Sequence, residues 1–193
     1  MDEENDAPES TGILIEPHFT GIYDTIDDKS ARDTITSLLA ILSVSEELSA
    51  VGDHEPSPIE FIVSTHGGVA VEMFAVYDVM RLVREQIPIH TFGVGKIMSS
   101  GLLLIAAGTK GKRRIGKNTR LMFHDVLSTV DGHLYEIENS INETKAIRSA
   151  YVQCLADETN LSIKELKSLI NKKKNIYFSA EEAVEWGFAD IIV

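Results

Sequence analysis

The sequence predicts an α/β fold with a largely parallel sheet, from three observations. Short, β-favouring apolar runs alternate with segments of helical periodicity along the chain. Glycines gather where a run of the first kind gives way to one of the second, at His66-Gly67-Gly68 and at Ser99-Ser100-Gly101. No internal repeat or long linker interrupts the alternation, and 193 residues suit one hydrophobic core.

The elements follow in order. Ser30-Ala-Arg-Asp33 reads as a capping box, and Ala31, Ile35, Leu38, Leu39 and Leu42 repeat behind it at helical spacing. Residues 50–58 carry two prolines and a glycine and read as a loop. Ile59–Val63 is a buried strand that ends in Ser64-Thr-His-Gly-Gly68. Val69, Met73, Val76, Met80 and Val83 mark a second helix, and Ile87–Val94 a second strand. Gly101–Ala107 is apolar throughout and reads as a buried helix. Thr109–Asn118 is a glycine-containing basic loop, and Leu121–Phe123 a strand leading to His124. Leu134–Asn160 reads as one long helix with Leu134, Ile137, Ile141, Arg148, Tyr151 and Leu155 mostly on one stripe. Ser162–Ile170 is a short helix. Ser179-Ala-Glu-Glu182 is a second capping box, with Gly187 suited to the residue after a helix end. Ala189–Val193 closes the chain as a strand.

Composition excludes several classes. Thirty acidic residues against 18 basic ones leave a net charge of −12, the wrong sign for a surface that binds phosphates, so no nucleic acid is expected. One cysteine, Cys154, cannot form an intramolecular disulfide or a cysteine-rich zinc site. No apolar run approaches the ~20 residues of a membrane span. The first residues are acidic, the opposite of a signal peptide, so a cytoplasmic protein is expected. Residues 1–16 hold six acids and no base, half of the net charge. Residues 1–19 are therefore read as a flexible acidic arm and 20–193 as a single domain.

The chemistry is sought at the two glycine-bearing junctions. In open α/β sheets, strands end and helix N-termini begin at such places, where backbone N–H groups point outward. A serine opening a buried helix is well placed as a nucleophile, and N–H groups from both junctions could receive an oxyanion. His124, just after a strand, is a candidate base. Each feature also has a plainer reading: a Gly-Gly turn, a helix-capping serine, a histidine at a strand end.

At these residues the chain resembles the ClpP family, the proteolytic subunits of Clp proteases. Val63-Ser-Thr-His-Gly-Gly68 and Phe74-Ala-Val-Tyr-Asp78 are similar to the family's Asn-Ser-Pro-Gly-Gly and Phe-Ala-Ile-Tyr-Asp segments. Gly95-Lys-Ile-Met-Ser-Ser-Gly101 resembles Gly-Met-Ala-Ala-Ser-Met-Gly, and Leu104–Arg113 resembles the stretch beyond it. Leu121-Met-Phe-His124 is similar to Met-Ile-His at the family's own distance from Ser99. Ser179–Ala183, Glu185-Trp-Gly187 and Asp190 fit the C-terminal motifs. Thr25-Ile-Asp-Asp28 and Leu38-Leu39 fit an upstream segment, so the likeness covers residues 20–193.

The resemblance implies the ClpP/crotonase fold of stacked ββα units, with the long helix (134–160) as a projecting handle. It implies heptameric rings stacked into a tetradecamer, which would bury the helix's apolar stripe. It implies a serine peptidase acting on unfolded polypeptides or short peptides, with no cofactor or metal. Ser99 becomes the nucleophile and His124 the base, with Gly68 and Ser100 N–H groups as the oxyanion hole. An AAA+ unfoldase or a ClpP paralogue is the implied partner.

The chain also departs from the family. Counting back from Ser179 sets Asn175 where the family has its catalytic Asp, and Lys172-Lys-Lys-Asn175 holds no carboxylate. Two residues more than in the family lie before this point, which leaves Lys173 and Lys174 near the same position. The expectation is an atypical Ser99–His124–Asn175 triad, with a catalytically weak or silent ring subunit as the alternative. A crotonase-type acyl-CoA enzyme is a further rival, which has no need of the Ser/His pair. Ser100 replaces the family's usual Met, and His66 its Pro. The acidic arm stands where the family has a longer segment that helps dock the unfoldase.

Overall fold

Three long strands and the helices that cross between them form the body of the molecule. The computed structural model describes residues 18–51 and 56–193. Strand β1 (Phe19–Ile26) pairs in parallel with β2 (Ile59–Gly68), and β2 pairs in parallel with β3 (Ile89–Met98). Helices α1 (Asp28–Val51) and α2 (Ala70–Arg84) make the crossovers. Parallel strands require such crossovers, because a tight hairpin can only reverse the chain. Along β2, Ile59, Phe61, Val63 and Thr65 are buried at every second position. On α2, Met73, Val76, Tyr77, Met80 and Val83 form the buried face, close to the predicted stripe. Val69, expected on that stripe, stands outside the helix as its N-cap residue and is exposed.

Two local signals shift. The box that opens α1 is Asp27 with Ser30, three residues before the predicted Ser30 with Asp33. The Asp27 carboxylate accepts the Ser30 N–H at 2.8 Å, and the Ser30 hydroxyl accepts the Asp27 N–H at 2.9 Å. Ala31, Leu38, Ile41 and Leu42 face the core, whereas Leu39 points outward. Strand β2 runs through His66 to Gly68 instead of stopping at Val63, because Thr25 and Ile26 of β1 pair with Gly67 and Gly68.

Strand β3 continues four residues past its predicted end. Gly95, at φ +68°, divides it. Before Gly95 it pairs with β4 (Arg114–Ile115), which carries the sheet on to β7 (Ile191–Ile192). After Gly95 it pairs with β5 (Arg120–Phe123), which pairs antiparallel with β6 (Ile176–Phe178). One strand thus serves two branches of the sheet, and the second carries Ser99 and His124. Between β3 and β4, helix α3 (Gly101–Ala106) is buried at every residue.

Helix α4 (Leu134–Glu158) has two halves. Tyr151, Val152, Leu155 and Glu158 are buried, while Leu134, Tyr135 and Ile141 near its start are exposed. Helices α5 (Ile163–Asn171) and α6 (Ala180–Glu185) begin at Ser162 and Ser179, each a complete capping box with a glutamate three residues on. The second box is the predicted one. Gly187, at φ +79°, ends α6, where the Phe188 N–H reaches back to the Ala183 carbonyl. Phe178 packs against Trp186 and Phe188 at ring separations of 4.8 and 5.5 Å, which ties β6 to α6.

The basic loop is an internal clasp in part. Arg113 is buried and forked onto Asp190, at 2.8 and 2.5 Å. Its Nη1 donates to the carbonyls of Glu158 and Gly187 at 2.8 and 2.7 Å and, more weakly, to that of Ala106 at 3.3 Å. The Glu158 side chain, also buried, accepts from Arg84 at 3.0 and 3.1 Å and from the Tyr77 hydroxyl at 3.1 Å. Lys110 donates to the Glu158 carbonyl. Burial alone would raise the Asp190 and Glu158 pKa values, but Arg113 and Arg84 hold both below the ordinary carboxylate range. The acidic arm expected over residues 1–19 lies outside the described residues apart from His18 and Phe19, and Phe19 already opens β1. Among the described residues, no helix is long and apolar enough to cross a membrane.

Candidate active site

Ser99 lies in the turn between β3 and α3, with φ at +54°. A non-glycine residue there is strained, and the surroundings must hold it. Three hydrogen bonds do so. The Ser99 N–H donates to the Met122 carbonyl at 2.8 Å, and the Ser99 carbonyl accepts from the Tyr151 hydroxyl at 2.9 Å and from the Leu102 N–H at 3.0 Å. The turn is thereby pinned to β5, to α4 and to the head of α3. Burial pushes the Tyr151 hydroxyl pKa up, so it remains a proton donor.

The constraint aims the Ser99 side chain at His124, which follows β5. His124 Nε2 lies 2.8 Å from Ser99 Oγ, a short hydrogen bond and the geometry needed for proton removal from the hydroxyl. Burial lowers the His124 pKa, and the charge of neighbouring Asp125 opposes that only in part. The ring is therefore neutral near pH 7 and able to accept a proton. Asp125 is itself engaged by Arg148 of α4 at 3.1 Å and accepts the Val126 N–H at 2.9 Å.

Asn175 is exposed and precedes β6. In the antiparallel register the β5–β6 ladder ends with Phe123 opposite Ile176, so His124 and Asn175 are the residues that adjoin its end. No hydrogen bond joins Asn175 to His124 in this structure, and among the described residues the charge that raises the ring's pKa is that of Asp125. The structure thus brings Ser99 and His124 together and shows no hydrogen bond from Asn175 to the ring.

The end of β2 supplies the opposite wall. Gly67, at φ +93°, has no room for a side chain: a Cβ there would lie 2.6 Å from the Ser99 Cβ and 3.1 Å from the Ser100 nitrogen. Its own N–H donates to the Thr65 hydroxyl at 2.9 Å. The Gly68 N–H donates to the Ser100 hydroxyl at 2.8 Å. Both predicted oxyanion donors, Gly68 and Ser100, line the cleft that holds Ser99 and His124. The cleft is about 630 Å³, with apolar walls from Val69, Val71, Val126, Leu127 and Ile147. His66 lines its rim, exposed. Such a cleft admits an apolar side chain beside a nucleophile.

Two parts of the site escape sequence reasoning. Tyr151 reads as one member of an apolar stripe, yet its hydroxyl holds the Ser99 carbonyl from 52 residues away. The Ser100 hydroxyl reads as a possible helix cap, yet it makes no cap hydrogen bond and faces Gly68. Neither partnership has a local signal, because each crosses between elements.

A sequence model described as Clp protease matches residues 3–193. Among curated proteins, the chain is similar to ATP-dependent Clp protease proteolytic subunit 1 of Thermobifida fusca (31% identity, covering 91% of this chain and 72% of that protein). It is also similar to proteolytic subunit 2 of Gluconobacter oxydans (27%, covering 100% and 89%). The chloroplastic proteolytic subunit 4 of Arabidopsis thaliana is 29% identical over 94% of this chain and 58% of its own length.

Proposed function

The chain belongs to the Clp protease family, and we propose that it is a ClpP-like serine peptidase subunit that cleaves unfolded polypeptides or short peptides through an acyl-enzyme on Ser99. The observation that carries this reading is the 2.8 Å contact between His124 Nε2 and a Ser99 hydroxyl held in a strained turn. His124 takes the Ser99 proton as Oγ attacks the peptide carbonyl. The oxyanion that forms is received by the N–H groups of Gly68 and Ser100. His124 then gives its proton to the departing amine as the C–N bond breaks. Water, losing a proton to His124, attacks the ester, and the acid leaves as Ser99 recovers its proton. No cofactor takes part.

Asn175 is the third member in this reading. Its amide oxygen takes the His124 Nδ1–H and holds the tautomer without adding charge. The β5–β6 register supports that role. An Asp-to-Asn change in a serine triad is able to cost on the order of 10⁴ in kcat, so a reduced rate is expected. The oligomer is read as stacked heptameric rings in the cytoplasm, fed by an AAA+ unfoldase or joined by a ClpP paralogue. The exposed Leu134, Tyr135 and Ile141 on α4 suit burial between subunits.

Labelling with a fluorophosphonate tests the site. Modification of Ser99 in the intact protein, lost in Ser99→Ala, is the expected result. An assembled ring that hydrolyses no peptide and takes no label would overturn the reading in favour of a silent structural subunit.

A further inference from the structure

Ser100 contributes a backbone N–H to the proposed oxyanion hole, but its side chain does something else there. Its hydroxyl makes no cap hydrogen bond to α3, the usual role of a serine at a helix start. Instead, Ser100 Oγ lies 2.8 Å from the Gly68 nitrogen. An amide nitrogen only donates, so the hydroxyl is the acceptor of this bond. The hydroxyl's own proton is directed at the Gly68 carbonyl, 3.4 Å away. Ser100 is 5% exposed, so bulk water does not compete freely for either group.

An oxyanion stabilised by Gly68 must lie 2.7–3.1 Å from that nitrogen. The Ser100 oxygen already occupies a position at that distance. One N–H proton serves one strong acceptor well, so hydroxyl and oxyanion compete for it. We infer that the Ser100 hydroxyl is an internal stand-in for the oxyanion, latching the Gly68 donor in the resting protein and rotating away when a substrate acylates Ser99. Rotation about the Cα–Cβ bond between staggered positions is the movement this requires. The inference rests on the peptidase reading and deepens it: acylation includes breaking this bond, and Ser100 adjusts the rate through its side chain as well as its N–H.

Removal of the latch acts on the transition state. A neutral hydrogen bond is worth a modest net amount, which corresponds to a rise of about 2- to 10-fold in kcat/KM and in the fluorophosphonate labelling rate for Ser100→Ala. The gain falls in kcat rather than KM, because the developing oxyanion needs the donor more than the ground-state carbonyl does. The acid limb of the pH profile stays in place, since His124 is untouched. Ser100→Thr keeps a hydroxyl and is expected to keep the Gly68 N–H bonded and slow to exchange.

A readout independent of activity accompanies these rates. Hydrogen exchange over a peptide spanning Gly67 and Gly68 should speed up in Ser100→Ala, because the Gly68 N–H loses the Ser100 acceptor. Unchanged exchange in a folded Ser100→Ala oligomer overturns the latch, as does faster exchange with an equal or slower labelling rate. Faster exchange with no labelling of Ser99 in any variant overturns the peptidase reading underneath instead, so the two failures are told apart.

Discussion

Two regions of this molecule bury charged or titratable groups, and they do so in opposite ways. At the clasp, Arg113 meets Asp190 and three carbonyls, and Glu158 meets Arg84 and Tyr77. At the site, half-buried His124 has a serine on one nitrogen and, among the described residues, no carboxylate bonded to the other. The clasp joins α2, the basic loop, the end of α4 and the turn after α6. A buried charge without partners costs several kcal/mol, so a saturated network there holds those elements in one arrangement. The site leaves a neutral base with freedom to accept a proton. Saturation suits structure, and incomplete satisfaction suits chemistry, because a group that must change charge during a reaction needs room for both states.

The largest effect that would break this contrast is at the nucleophile. Ser99→Ala is expected to cut peptide hydrolysis by about 10³-fold or more in a protein that still assembles. Activity that survives the change puts the chemistry elsewhere. Next is the clasp itself. Arg113→Ala leaves Asp190 without its partner and should destabilise the fold by about 3–5 kcal/mol, measured as a lower denaturant midpoint. Asp190 and Glu158 are held below their ordinary values, so their contribution is full at neutral pH. It fades as pH falls below about 4, towards their folded pKa values. A flat stability profile across that range would show the clasp to be weaker than its geometry implies.

Asn175→Asp gives the site the charge that the clasp already has. We expect kcat to rise about tenfold or more and the acid limb of kcat/KM to move up, since a carboxylate favours the imidazolium. In the unaltered protein that limb should lie below the ordinary imidazole value of about 6.5, because burial lowers the His124 pKa. A limb above 6.5 would mean that a carboxylate supports the ring after all. The smallest effect is expected from Tyr151→Phe. It removes one hydrogen bond to the strained Ser99 turn, worth about 1 kcal/mol, and should lower kcat a few-fold with little change in KM.

Much of the fold could be read in advance, and the misses have physical causes. Strand β1 shows only Ile22 and Ile26 buried, so its alternation is too faint to read. Strands β4 and β6 span two and three residues, too short for any periodicity. The later half of β3 lies beyond Gly95, where glycine and lysine weaken the β pattern, yet pairing with β5 extends the strand. The basic stretch Lys110–Lys117 is charged in sequence, but Arg113 turns inward because Asp190 awaits it from the far end of the chain.

The sequence by itself determined which residues were available for chemistry and roughly where: a serine at a strand-to-helix turn, a histidine after a strand, and an asparagine among lysines. Those are local matters of residue type, periodicity and capping. Only the tertiary structure decided what each group touches. Ser99 and His124 meet because β3 and β5 pair in register. Asn175 stands just before β6, which begins opposite Phe123, the residue before His124, and runs back along β5. The Ser100 hydroxyl faces Gly68 because α3 begins against the end of β2. Hydrogen-bond partners are set by distances of a few tenths of an ångström between segments far apart in the chain, and such distances are fixed by packing alone.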